Sequence, residues 1–385
     1  MRVTHTIPSL EAKHGGPSVT VTSLCSWLAS SGAEVTLVTG RAMQAGVPEV
    51  MPAARVQLER YERHAVRLWD FFPGGPMSRV LKPVVHRTDI LHCHGLWHAD
   101  GAHASRLAAG MGIPYVVSCK GMAQPWALEQ GRVKKAVALW VWQKRVLERA
   151  AVLHATSMLE KEALRALGLM NPVALIPCGV DAPEDVLARP KGDRKKRRAL
   201  FLSRLHPSKG VEDLLRAWAA LRPQHWTLRI TGPSDGGYEE ELRKLAESLE
   251  IAADVEFLTP VFGVERWKVM VDAELFILPT YSENFGMVIA EALAAGLPVL
   301  TTLAAPWERI TEWGCGWRVG TGEEALTDAL RQALDTAPER LAEMGGRGQR
   351  MSREELSWEK AAKQMLNVYY WVRREKEKPQ CVQLD

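Results

Sequence analysis

The sequence predicts an α/β protein made of two doubly wound parallel sheets, and three observations carry that reading. Short apolar runs such as Val3–Ile7, Tyr115–Ser118 and Leu275–Leu278 alternate with stretches of helical periodicity along the chain. The charge-rich segment 181–198, DAPEDVLARPKGDRKKRR, interrupts this alternation, which then restarts. The 385 residues suffice for two domains of ordinary size. The expected division is 1–182 and 183–357, followed by a helix near 358–374.

Taken in order, strand Val3–Ile7 leads through the loop Pro8–Pro17 into a helix over 18–30. Strand Glu34–Val38 precedes a less regular region reaching about Lys82, and strand Ile90–His92 follows. Helix 100–111, strand Tyr115–Ser118, helix 132–149, strand Val152–Ala155, helix 158–167 and strand Val173–Ile176 complete the first half. The second half reads as strand Ala199–Ser203, helix 211–221, strand Trp226–Thr231, helix 239–249 and strand Val255–Leu258. Helix 264–272 and strand Leu275–Leu278 come next. Helices dominate beyond residue 320, and the polar stretch 375–385 reads as frayed. Ligands of such sheets sit beyond the carboxyl ends of the strands. His94, Lys120, Thr156 and Gly179 all follow strand ends.

Composition narrows the class. With 46% hydrophobic and 24% charged residues, the chain has the profile of a soluble globular protein. It lacks an uninterrupted apolar run of about 18 residues, so no transmembrane helix is predicted. The opening MRVTHTIPSL has no apolar signal core, which argues for a cytoplasmic location. Six scattered cysteines fit reduced thiols better than a metal site or disulfide scaffold. The net charge of +4 is uneven, since residues 1–182 hold 20 Lys and Arg against 13 Asp and Glu. A basic first half suits an anionic membrane face or a phosphorylated acceptor as well as a solubilising surface. No nucleic-acid-binding module accompanies the charge.

The most informative stretch is Pro279–Thr302, PTYSENFGMVIAEALAAGLPVLTT, which reads as strand end, loop, short helix and strand. Glu283 falls in the loop and Glu291 inside the helix. Asn284, Phe285 and Gly286 lead into the first turn, where unpaired N–H groups and the helix dipole attract an anion. A carboxylate beside such a turn suits a ligand carrying hydroxyls next to phosphate, as a sugar nucleotide does. Two glutamates at this spacing can equally be a solvated face. Upstream, Arg204 and Lys209 lie in the strand-to-helix joint Ser203–Gly210, able to fork onto phosphate and to add a point charge. Gly232-Pro233 marks another joint, and Gly15-Gly16-Pro17 a fourth.

SENFGMVIAEALAAGLPV resembles the E-x7-E signature of the family 4 retaining glycosyltransferases, including Phe-Gly after the first Glu and the Ala-Gly-x-Pro-Val tail. The resemblance extends to Arg204…Lys209-Gly210, to the Gly15-Gly16 loop, and to Pro177-Cys178-Gly179-Val180-Asp181, where Cys178 replaces the family's Asn. It implies a GT-B fold, two Rossmann-like domains facing a central cleft that closes on substrate. It also implies a retaining, metal-independent hexosyltransferase using a UDP- or GDP-linked sugar and no cofactor. Glu291 would accept the ribose hydroxyls and Glu283 would face the sugar. Arg204, Lys209, Gly232, Asn284, Phe285, Gly286, Gly15 and Gly16 would bind the donor.

His92-Cys93-His94-Gly95-Leu96-Trp97 is similar to a run in family 4 enzymes of surface polysaccharide assembly, making His94 a candidate for catalysis or acceptor contact. Its histidines lack the partners at characteristic intervals that would mark a zinc site. Ser118-Cys119-Lys120-Gly121 stands where Ser-Pro-His-Gly is common in the family. Lys120 can supply charge but does not titrate near neutrality as imidazole does. The basic helix with Trp140 and Trp142 suits either packing on the sheet or a lipid interface. These features point to a glycan or lipid-linked acceptor and peripheral contact with the inner face of an anionic plasma membrane. The alternatives are a non-catalytic sugar-nucleotide binder and a nucleotide-sugar epimerase.

Overall fold

Each half of the chain is built on an open sheet whose strand order reverses at its centre. The computed structural model describes residues 1–12, 15–42, 46–62, 76–183, 196–234 and 236–385. These residues divide into two units, Met1–Gly179 with Trp358–Asp385, and Val180–Ser357. The segment 184–195 of the expected linker lies outside the described residues.

In the first unit the strands are β1 (Arg2–Ile7), β2 (Glu34–Gly40), β3 (Gln57–Tyr61), β4 (Ile90–His94), β5 (Tyr115–Ser118), β6 (Val152–Ala155) and β7 (Val173–Leu175). They run parallel in the order β7-β6-β5-β4-β1-β2-β3. Every residue of β4, β5 and β6 is buried, as expected for short strands covered on both faces. Neighbours β1 and β4 are the point where the order reverses, the place beyond whose carboxyl ends such sheets bind ligands. Helix Gly16–Ser30 packs against helix Trp358–Val372, which belongs to this unit although it follows the second unit in sequence.

Three local expectations change. The chain end is not frayed: Val382–Gln383 pairs antiparallel with β7, and Lys161 Nζ donates to Gln383 Oε1 at 2.6 Å. Sheet-edge hydrogen bonds and this polar anchor order a tail whose composition suggested solvent. The expected helix 132–149 comprises α-helix Arg132–Ala138, a π-helical turn Leu139–Gln143 and α-helix Lys144–Glu148. The less regular region contains β3 and helix Pro76–His86 among its described residues.

The second unit contains β8 (Arg197–Leu202), β9 (Trp226–Thr231), β10 (Val255–Leu258), β11 (Leu275–Leu278), β12 (Val299–Thr302) and β13 (Gly316–Val319). All are parallel, in the order β10-β9-β8-β11-β12-β13, and the reversal falls between β8 and β11. Helix Val211–Leu221 shows how the sequence drives this packing. Val211, Leu214, Leu215 and Trp218 recur on one stripe and all are buried, while Glu212 and Asp213 occupy the first turn.

Candidate functional site

The reversal in the second unit brings together the loops after β8 and β11. The loop after β8 tightens into a 3-10 turn, Pro207–Lys209, and ends at Gly210 with φ 69°. A Cβ at Gly210 would stand 2.1 Å from the Pro279 carbonyl oxygen, so only glycine permits this approach. The Ser208 carbonyl accepts from Tyr281 N (2.8 Å) and Thr280 Oγ1 (3.1 Å), joining the two loops. Lys209 is thereby carried to Glu283, with Nζ 2.7 Å from Oε2, and it also donates to the Ser282 carbonyl at 3.3 Å. Arg204 is exposed and forms no ion pair with the described residues. Gly232 sits beside the same joint, and a Cβ there would be 1.7 Å from the Ser203 carbonyl oxygen.

Glu283 Oε1 accepts from Asn284 N at 3.1 Å, which curls the loop ahead of helix Met287–Ala294. Gly286 caps that helix in the left-handed region at φ 78°. A Cβ on it would meet Glu283 Cγ at 3.0 Å and Trp307 Nε1 at 3.2 Å. The Trp307 indole N–H donates to the Phe285 carbonyl, and the two rings lie 5.3 Å apart. Gly286 has no side chain with which to cap the helix, and the first turn's N–H groups suit an anion.

Glu291 sits inside the helix, buried, with Oε1 2.8 Å from Arg266 Nη2. Burial pushes its carboxyl up to about 7, and the Arg266 guanidinium opposes that rise. Its second oxygen carries no partner among the described residues. Sequence reasoning missed Arg266 and Trp307. Neither lies in a recognisable motif, and the spatial neighbour of Glu291 is 25 residues away along the chain.

In the first unit, Gly15 has φ 71° and precedes helix Gly16–Ser30 as its N-cap. Both glycines, expected from the sequence to bind the donor, lie in this unit. His94 ends β4, is buried, and has Nε2 2.9 Å from His5 Nδ1. Beside it runs a hydrogen-bond chain whose direction follows from chemistry. The Ile176 carbonyl can only accept, so His154 Nε2 carries the proton (3.0 Å). Its bare Nδ1 accepts from Ser118 Oγ (2.6 Å), Ser118 accepts from His92 Nε2 (2.7 Å), and His92 Nδ1 accepts from the Tyr369 hydroxyl (2.7 Å). Desolvation drives all these imidazoles far towards the neutral form, to about 3 for His5 and His154 and well below the ordinary value for His92 and His94.

One ring nitrogen from each of His5, His92 and His94 lies within 4.8 Å of the others. The local spacing could not disclose this trio, because His5 comes from β1. Both His92 nitrogens are already hydrogen-bonded, so a metal there would displace Tyr369 or Ser118. His5 Nε2 and His94 Nδ1 have no partner among the described residues.

Lys120 follows β5 in the left-handed region at φ 55°, and its charge lowers all four imidazoles further. Buried Glu160 fixes this turn, accepting from Gly121 N (2.7 Å) and Thr156 N (2.8 Å). That carboxylate also escaped the sequence reading. Its position three residues after Ser157, whose Oγ accepts from Glu160 N, is the available signal.

Residues 186–351 match the family described as Glycosyl transferases group 1, and residues 15–179 match the Glycosyl transferase 4-like domain. A D-inositol 3-phosphate glycosyltransferase of Gordonia bronchialis is 27% identical over 92% of this chain and 83% of its own. Sucrose-phosphate synthase from Thermosynechococcus elongatus superposes with a TM-score of 0.76 at 19% identity, covering 97% of this chain and 100% of that one. HepE of Anabaena, solved with UDP and glucose, gives a TM-score of 0.72 at 18% identity over 96% and 99% of the two chains. The two parallel-sheet Rossmann-like units and the two adjoining matches establish that this chain belongs to the group 1 glycosyltransferases, with a GT-B fold.

Proposed function

We propose that the protein transfers a sugar, with retention and without a metal, from a UDP- or GDP-linked donor to a lipid-linked or polysaccharide acceptor. The observation that carries the donor half is the convergence of Lys209, Glu283 and the helix start at Gly286 on one switch point. Negative charge develops on the diphosphate as the glycosidic bond breaks. Lys209 and the helix N–H groups are donors held in place that offset it without reorganising, and the exposed Arg204 can add its charge from the same joint. In this reading Glu291 Oε2 accepts ribose hydroxyls, and the Arg266 contact to Oε1 supports it by leaving Oε2 over. Glu283 orients the sugar, steadied by Lys209 and the Asn284 amide.

The acceptor lies near Gly16 and His94 in this reading. Lys120 then supplies positive charge where many relatives of the family carry histidine, and the basic first unit suits an acceptor held at an anionic membrane. A soluble phosphorylated polyol is the second acceptor reading, favoured by the name of the Gordonia relative.

Nucleoside diphosphate release from individual UDP- and GDP-sugars, with a membrane extract or with inositol phosphate, tests the reading. Release from one donor that survives EDTA and is lost in Glu283→Ala supports it. Nucleotide binding without release under any acceptor condition would leave only the non-catalytic binder. Anomeric analysis of the product by NMR reports retention or inversion.

A further inference from the structure

The helical segment from Arg132 to Glu148 uses one side and leaves the other in solvent. Ala138, Gln143, Val146 and Leu147 are buried, and Gln143 Oε1 accepts from Trp97 N at 3.1 Å. On the outside, Val133 is 77% exposed, Val137 54%, Trp140 86% and Val141 55%. Their spacing of four, three and one places them on one stripe. Arg132, Lys134, Lys144, Arg145 and Arg149 are also exposed, and Glu148 is the single acid between 132 and 149.

We infer that this face docks the first unit on an anionic lipid bilayer, Trp140 entering the headgroup boundary and the flanking cations meeting anionic headgroups. Charge complementarity selects this occupant. A second copy facing the stripe would set cations against cations, whereas a neutral apolar partner would leave them unmatched. The inner side of the same segment, through Gln143 and Trp97, holds the loop that follows His94. A membrane bound outside would therefore lie on the element that positions the proposed acceptor residues. The inference deepens the lipid-linked acceptor reading and rests on it for its purpose.

The test is co-sedimentation of the full chain with phosphatidylcholine vesicles containing or lacking phosphatidylglycerol. Wild type is expected to bind the anionic vesicles, more weakly at high salt. Val137→Asp with Trp140→Asp should lower the partition coefficient roughly tenfold or more, equivalent to about 1.4 kcal/mol. Lys134→Glu with Lys144→Glu should erase the preference for phosphatidylglycerol. All four positions are exposed, and circular dichroism checks that the variants remain folded. Absence of wild-type binding, equal binding by the Asp variant, or a wild-type dimer that this variant dissolves would each overturn the inference. Diphosphate release from the donor in solution is measured alongside. If wild type binds vesicles yet releases none with any acceptor, the transfer reading fails and the docking surface stands.

Discussion

Lys209 Nζ lies 2.7 Å from Glu283 Oε2, with 11% and 16% of the two side chains exposed. Each loop supplies one charge, and the Ser208 carbonyl with its two donors fixes their separation. Lys209→Ala should lower kcat/KM by about 100-fold or more, the scale for losing a preorganised donor. It should also destabilise the fold, because Glu283 loses its cationic partner. Adding Glu283→Gln should recover part of the stability and none of the turnover. Urea unfolding and diphosphate release separate the two effects; recovered turnover in the double variant would refute the proposed role of Glu283.

Gly210 should resist substitution for a geometric reason. Alanine would need a left-handed backbone and would press on the Pro279 carbonyl at 2.1 Å. The backbone conformation alone costs about 1–3 kcal/mol. We expect a stability loss at least that large in Gly210→Ala, together with weakened nucleotide binding as Lys209 moves away. Calorimetry of both properties checks this, and wild-type values would show that the loop joint is not rigid.

If Glu291 accepts ribose hydroxyls as proposed, donor binding should depend on pH. Its folded value of about 7 exceeds the ordinary 4.5, so the fold favours the protonated acid. Two consequences follow from that sign. The contribution of Glu291 to stability falls as pH rises from about 4.5 to about 7. Nucleotide affinity should rise through the same upper limit as the carboxylate forms and accepts ribose hydroxyls. Arg266→Leu removes the opposing charge and should move this midpoint upward. Titrating nucleotide binding by calorimetry between pH 5 and 9, in roughly unit steps, gives the midpoint; an unshifted value in Arg266→Leu would exclude the coupling.

The buried histidines predict acid sensitivity of the first unit. Their folded values lie below the ordinary 6.5, so they stabilise the neutral state fully above that pH and lose this as pH falls below it. Because the rings also repel one another's charge, they act as one acid-sensitive group, and stability should fall with pH below the ordinary histidine value. Tyr369→Phe removes the donor to His92 Nδ1 and should cost about 1–3 kcal/mol at neutral pH. Denaturant midpoints taken from neutral to mildly acidic pH measure both; stability that stays level across this range would contradict the assignment.

The candidate site is legible in the sequence where its residues are local. Glu283, Asn284, Phe285, Gly286 and Glu291 fall within nine residues, and Lys209-Gly210 announces its loop by composition. Their supports were not legible. Arg266 comes from another helix, Trp307 from a loop beyond β12, and nothing in either neighbourhood marks a partner. The tail 375–385 departs from the frayed end its composition suggests for a related reason. Its polar sequence says nothing of the open edge of β7 that accepts Val382 and Gln383.

By itself, the sequence determined the strand and helix rhythm, the repeated α/β architecture and the loops that carry charge and glycine, because periodicity and backbone freedom are properties of neighbouring residues. Tertiary structure alone decided which side chains share a site. Parallel register sets His5 of β1 beside His92 of β4, and the returning helix brings Tyr369 to His92 across 277 residues. Strand order and helix packing fix such pairs, and burial then converts histidines that would titrate near neutrality in water into a neutral, directed hydrogen-bond chain.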